Sequence, residues 1–126
     1  MIRLYKALIV LIFMYASGHM GYTFFNKDAV TPEEKMWFFS GGLALLLMGF
    51  INILHFILRI PLTRNICFIT NLAMLLFMII LCFIIPEPQV IVLDFILATI
   101  LITAWKHAVT VNKRSSYEVN LPGLQL

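Results

Sequence analysis

MWFFSGGLALLLMGFINILHFIL, residues Met36 to Leu58, is a run of about 23 residues with no formal charge when His55 is neutral. At ~1.5 Å rise per residue, a helix of that length crosses a ~30 Å hydrocarbon core. The remainder of the chain reads as three more segments of the same kind. Among 126 residues, 62% are hydrophobic and only 12% charged, where soluble domains carry about a quarter charged. The charges fall at segment ends and form no basic face, so the net charge of +3 is no nucleic-acid signature. A chain this short makes one domain and leaves no room for a separate soluble catalytic unit beside the spans.

On the N-terminal side of the central run stands Thr31-Pro32-Glu33-Glu34. Thr31 caps free backbone N–H groups, Pro32 fits the first helical position, and Glu34 returns a bond to Thr31. Both glutamates suit the positive end of the helix dipole. Before this start lies a loop, Asn26 to Val30, carrying Lys27 and Asp28, and before that a first span over residues 4–25. Arg3, Lys6 and Ala16-Ser17-Gly18 mimic a signal peptide, but the apolar run continues to Phe25. Signal-peptide cores run only ~7–15 residues, so the segment reads as a retained span.

On the C-terminal side, Arg59-Ile60-Pro61 ends the central span at about residue 58, because proline disfavours helix in the residue before it. A third span is expected over 65–85, with Thr63 as its cap and Pro86-Glu87-Pro88 as its stop. The fourth is expected over 89–111. Residues 113–126 form a short polar tail, so the membrane domain is assigned to 1–112. The spacing predicts an all-α, up-down-up-down bundle of four transmembrane helices. With four spans, Arg3, Lys6, Arg59, Arg64, Lys106, Lys113 and Arg114 fall on one side, and Lys27 and Lys35 on the other. That asymmetry predicts an inner (cell) membrane protein with both termini in the cytoplasm, and Trp37 and Trp105 fit interfacial belts.

Several of these residues form a recognisable pattern. Gly18-His19 late in the first span, Trp37-Phe38-Phe39-Ser40-Gly41-Gly42 opening the second, Leu45-Leu46-Leu47-Met48-Gly49 after it, and Pro61 and Pro86 resemble a group of small four-helix bacterial membrane proteins without an assigned function. The resemblance covers roughly Leu4 to Trp105 and implies the four-span topology, with no chemistry attached. Pro86-Glu87-Pro88-Gln89 departs from the glycine and aromatics expected there.

Polar groups inside lipid are costly unless paired, and so are the places to look for function. Counted from the span ends at ~1.5 Å per residue, His19, Ser40 and Asp94 lie at one depth, ~8–9 Å below the outer ends of three helices. Gly18, Gly21, Gly41 and Gly42 lie beside them and, with Gly49, are expected to let helices pack closely. Asp94 is the only acid well inside a span. It reads either as a proton-titrating or ligand-binding carboxylate paired with His19, or as an interhelical hydrogen bond. Ser40 reads as a packing residue or a bond back to its own helix. A second layer toward the inner side holds Asn52, His55, Thr70 and Asn71. Gly42, Leu45, Gly49 and Asn52 form a stripe at helical spacing that should face inward, where Asn52 and Asn71 are placed to exchange amide bonds. Thr99 and Thr103 satisfy carbonyls of their own helix.

No cofactor is implied. His19 and His55 are separated by ~15–20 Å along the membrane normal, too far for one haem iron, and His107 lies at the edge beside Lys106. No Cys/His/carboxylate spacing marks a metal site. Cys67 and Cys82, ~22 Å apart on one helix, are beyond disulfide reach and read as inert thiols. Phosphate loops, nucleophile elbows and paired catalytic carboxylates are missing from the sequence. The leading expectation is therefore a non-enzymatic packing or partner subunit. The alternatives are a proton-coupled carrier using Asp94 and His19, and a lipid-binding protein or membrane enzyme with a pocket near the outer face. Expected partners are membrane lipids and a second copy or another membrane protein.

Overall fold

The computed structural model describes residues 2–25 and 31–119, with side chains up to residue 106. Its order is α1 (Ile2–Phe25), α2 (Pro32–Leu58), α3 (Pro61–Ile84) and α4 (Pro88–Val119). All four helices are long and apolar enough to cross a membrane, and no strand occurs among the described residues. In lipid the backbone must satisfy its own hydrogen bonds, and an uninterrupted helix does so within one segment.

The helix starts follow local chemistry. The Thr31 hydroxyl accepts from the Glu34 backbone N–H at 3.2 Å, and the Glu34 carboxylate accepts from the Thr31 N–H at 2.9 Å, so the expected capping box forms. Arg59 closes α2 in the left-handed region at φ 54°, and Ile60 is extended at φ −92°. The third helix then begins at Pro61, four residues before the expected Asn65. Thr63 is not its cap. Ile60 occupies that position, and the Thr63 hydroxyl donates to the Ile60 carbonyl at 3.0 Å. Proline needs no N–H partner and arrives with a helical φ, so the helix starts as soon as the Arg59 turn is complete. Residues 113–119 of the expected tail continue α4 as helix, while 120–126 and the loop with Lys27 and Asp28 lie outside the described residues.

The helices close a ring in which α1 meets α2, α2 meets α3, α3 meets α4, and α4 returns to α1. Contacts along α1 and α2 run in opposite directions. Tyr5 meets Asn52, Phe13 meets Gly49, Ala16 meets Gly42, and His19 meets Gly41. That order makes the pair antiparallel. The stripe Gly42, Leu45, Gly49 and Asn52 is buried throughout, as its spacing predicts. The buried centre also holds Tyr5, Ile12, Met48, Leu97 and Ile100. Large apolar side chains such as Phe24, Trp37, Phe83 and Phe95 point outward, the expected arrangement where the surroundings are hydrocarbon.

Candidate functional site

The bundle places its polar side chains in three locations. The inner one is a closed cluster. Asn52 of α2 and Asn71 of α3 exchange amide bonds: Asn52 Nδ2 donates to Asn71 Oδ1 at 2.8 Å, and Asn71 Nδ2 donates to Asn52 Oδ1 at 3.0 Å. Asn52 spends its second N–H on the Met48 carbonyl at 2.9 Å. Tyr5 reaches in from α1 and donates to Asn52 Oδ1 at 3.0 Å. The Cys67 thiol donates to the same oxygen at 3.3 Å and accepts from Asn71 Nδ2 at 3.3 Å. Asn52, Asn71 and Cys67 are 0% exposed and Tyr5 only 1%. Each donor and acceptor of the two amides therefore has a partner, which is what burial in a low-dielectric bundle requires. His55, also buried, packs edge-on to Tyr5 at 6.4 Å and lies beside the Ala104 backbone carbonyl of α4. All four helices thus contribute to this layer. Thr70 is half-buried beside it.

Two members of the cluster are absent from the sequence reading. Tyr5 sits near the start of its span, where a tyrosine reads as an interfacial residue. Cys67 reads as an inert buried thiol. Their signal was depth: both lie within reach of the Asn52 level, but the rotational phase of each helix turns them toward it.

The outer polar residues are not gathered into one site. His19 lies on the α1–α2 seam, stacked on Phe38 with ring centroids 4.1 Å apart and placed beside the Phe38 backbone carbonyl. Asp94 lies on the α3–α4 seam. The Cys82 thiol stands beside its carboxyl, and Asp94 Oδ1 is buried without a hydrogen-bond partner. No hydrogen bond or ion pair joins Asp94 to His19 among the described residues. The depths differ as well. Tyr15, four residues inward of His19, donates to the Gln89 carbonyl in the first turn of α4 at 2.5 Å. Asp94 is five residues further along α4 and so lies deeper than His19. Equal depths counted from helix ends require level ends, and these are staggered. Ser40 is exposed and donates to the Trp37 carbonyl of its own helix at 2.6 Å, so it joins neither group.

The glycines divide in the same way. A Cβ on Gly42 would meet Met20 Cγ at 2.5 Å and the Ala16 carbonyl oxygen at 3.0 Å, and one on Gly49 would meet the Phe13 ring at 3.0 Å. A Cβ on Gly41 would meet His19 Nε2 at 3.3 Å. Gly18 and Gly21 face open space, contrary to their expected place in a helix contact, because their side of α1 turns away from α2. Thr99 and Thr103 donate to carbonyls one turn back on α4, at 2.7 and 2.8 Å.

The third location is the end of the bundle that holds Tyr5 and His55. There Lys6 Nζ stands 5.2 Å and Arg59 Cζ 5.8 Å from the centroid of the Phe56 ring. Among the described residues no group of three or more His, Cys, Asp and Glu is placed to hold a metal ion. The side chain of His107 lies outside the described residues. Comparison of the chain with protein-family models, curated proteins and solved structures returned no match.

Proposed function

We propose that this chain is a non-enzymatic, multi-pass membrane protein that acts as a packing or partner subunit. In this reading it sits in the inner membrane with both termini in the cytoplasm. The observation that carries the reading is the closed Tyr5–Asn52–Cys67–Asn71 cluster. These fully buried polar groups are consumed by one another across three helices. A path for an ion or substrate needs polar groups that trade partners with water or cargo, and this layer offers interhelical bonds instead. Such bonds set register and helix order in lipid, where apolar side chains gain little from meeting each other.

Asp94 supports a second reading, a proton-coupled carrier. Its buried Oδ1 lacks a hydrogen-bond partner, and an unsatisfied carboxyl in a span is a place to take up a proton. This alternative now rests on Asp94 without His19. Reconstitution into vesicles separates the two readings. The subunit reading expects an imposed pH step to decay at the same rate with wild type, with Asp94→Asn and with protein-free vesicles. A faster decay with wild type that Asp94→Asn abolishes would overturn it in favour of the carrier.

A further inference from the structure

Among the described side chains, one end of this bundle carries cations without acids, and two of those cations share one aromatic ring. Among the described side chains, the acids are Glu33, Glu34, Glu87 and Asp94. The first two open α2, the third lies in the α3–α4 connection, and the last is in the second turn of α4. Glu33, Glu34 and Glu87 lie at the end where α2 begins, with Lys35 beside the first two, while Asp94 lies deeper inside the bundle. The opposite end carries Arg3, Lys6, Arg59, Arg64 and Lys106 with no acid among them. Lys6 comes from α1 and Arg59 from the close of α2, and both charges lie within 6 Å of the same Phe56 ring centre. An aromatic face attracts cations placed within about 6 Å of its centre and so holds these two charges side by side. Both residues are exposed, and neither has an ion-pair partner among the described residues. Arg59 Nε is fixed by the Phe56 carbonyl at 3.3 Å, which leaves the terminal N–H groups of its guanidinium for a ligand.

Arg59 carries a second, independent mark. It is the one non-glycine residue with positive φ among those described. A helix that closes in the left-handed region ordinarily uses glycine there, because a Cβ is strained in that conformation. An arginine at this point gives up backbone comfort and gains a placed guanidinium.

From these observations we infer that Lys6 and Arg59, mounted on Phe56, form a binding site for a phosphate-bearing anion, the headgroup of an anionic phospholipid. The site lies at the membrane–water boundary, at the C-terminal end of α2, where the helix dipole also favours cations. Arginine meets phosphate oxygens with paired N–H donors, and lysine adds a point charge from the neighbouring helix. An anionic headgroup is large enough to meet both. The inference requires only that the bundle spans a membrane. It is independent of which face is cytoplasmic and of the subunit role proposed above.

The test is retention of lipid by the full chain in mild detergent, read by native mass spectrometry, with phosphatidylglycerol and phosphatidylcholine offered in equal amounts. Wild type is expected to keep one phosphatidylglycerol in preference to phosphatidylcholine. Lys6→Gln and Arg59→Gly should each weaken that retention about fivefold, the effect of one cation near a lipid surface. Arg59→Lys should retain most of it. Arg59→Gly relieves the left-handed strain, so its melting temperature in phosphatidylcholine should equal or exceed that of wild type, which separates lost binding from lost folding. Equal retention of the two lipids by wild type, or full retention of phosphatidylglycerol by both weakened variants, overturns the site. Stabilisation by inorganic phosphate as strong as that by phosphatidylglycerol overturns the lipid headgroup as its ligand.

Discussion

At the residue scale, the Asn52–Asn71 pair decides most. A primary amide offers two donors and an acceptor oxygen, and two amides facing each other satisfy one another with groups left over. Here the surplus is taken up by Tyr5, Cys67 and the Met48 carbonyl. Removing one amide leaves its partners buried and unpaired. Asn52→Leu and Asn71→Leu should each lower unfolding stability in detergent by about 1–3 kcal/mol. The double variant should lose distinctly less than the sum, because the second change removes a group already orphaned by the first. Additive losses in the same unfolding assay would show that the two amides act separately. The pairing itself was legible in the sequence, since Asn52 and Asn71 lie at similar depth in consecutive helices. Tyr5 and Cys67 were not, because depth alone says nothing about which way a side chain faces.

At the element scale, the α1–α2 seam is tightly packed at Gly42 and Gly49, and the glycines expected to serve it are unequal. Gly42 lies against the Ala16 carbonyl and the Met20 backbone nitrogen, which cannot move aside as a side chain does. Gly42→Ala should cost about 1–3 kcal/mol as overpacking. Gly18→Ala and Gly21→Ala add a methyl to open space in a helix and should be neutral or stabilising by up to about 1 kcal/mol. Thermal melts of the three variants in one detergent check the contrast, and a loss at Gly18 comparable to that at Gly42 would place an undetected contact on the open side of α1. The sequence named these glycines as one set because they share a region of the span. The helical phase separates them: Gly42 belongs to the stripe that continues through Leu45, Gly49 and Asn52, while Gly18 and Gly21 face away from the seam.

At the scale of the whole molecule, charge is the organising feature. Among the described side chains, the end holding Arg3, Lys6, Arg59, Arg64 and Lys106 carries no acid, and a side rich in Lys and Arg is the one that the positive-inside rule expects in the cytoplasm. A reporter active only in the cytoplasm, fused in turn to the N-terminus, the C-terminus and the Glu87 connection, should give signal at both termini and none at Glu87. Signal at Glu87 alone would invert the orientation and leave the bundle itself unchanged. The same polarity supports the lipid site at Lys6 and Arg59, since anionic headgroups concentrate where the cations lie.

Four long apolar runs, their proline-marked ends and the Thr31 capping box were determined by the sequence alone. Length, hydropathy and local hydrogen bonding depend on neighbours along the chain. The capping box formed as written, and the third helix differed in starting at Pro61 with Ile60 at its cap instead of Thr63. Which polar groups meet was decided by the tertiary structure. The expected His19–Ser40–Asp94 layer assumed level helix ends and a common inward face. The bundle instead staggers α4 against α1, sets His19 and Asp94 on different seams, and leaves Ser40 bonded to its own helix. Helix phase and axial offset are set by packing between segments far apart in the chain, and no run of residues read singly contains them.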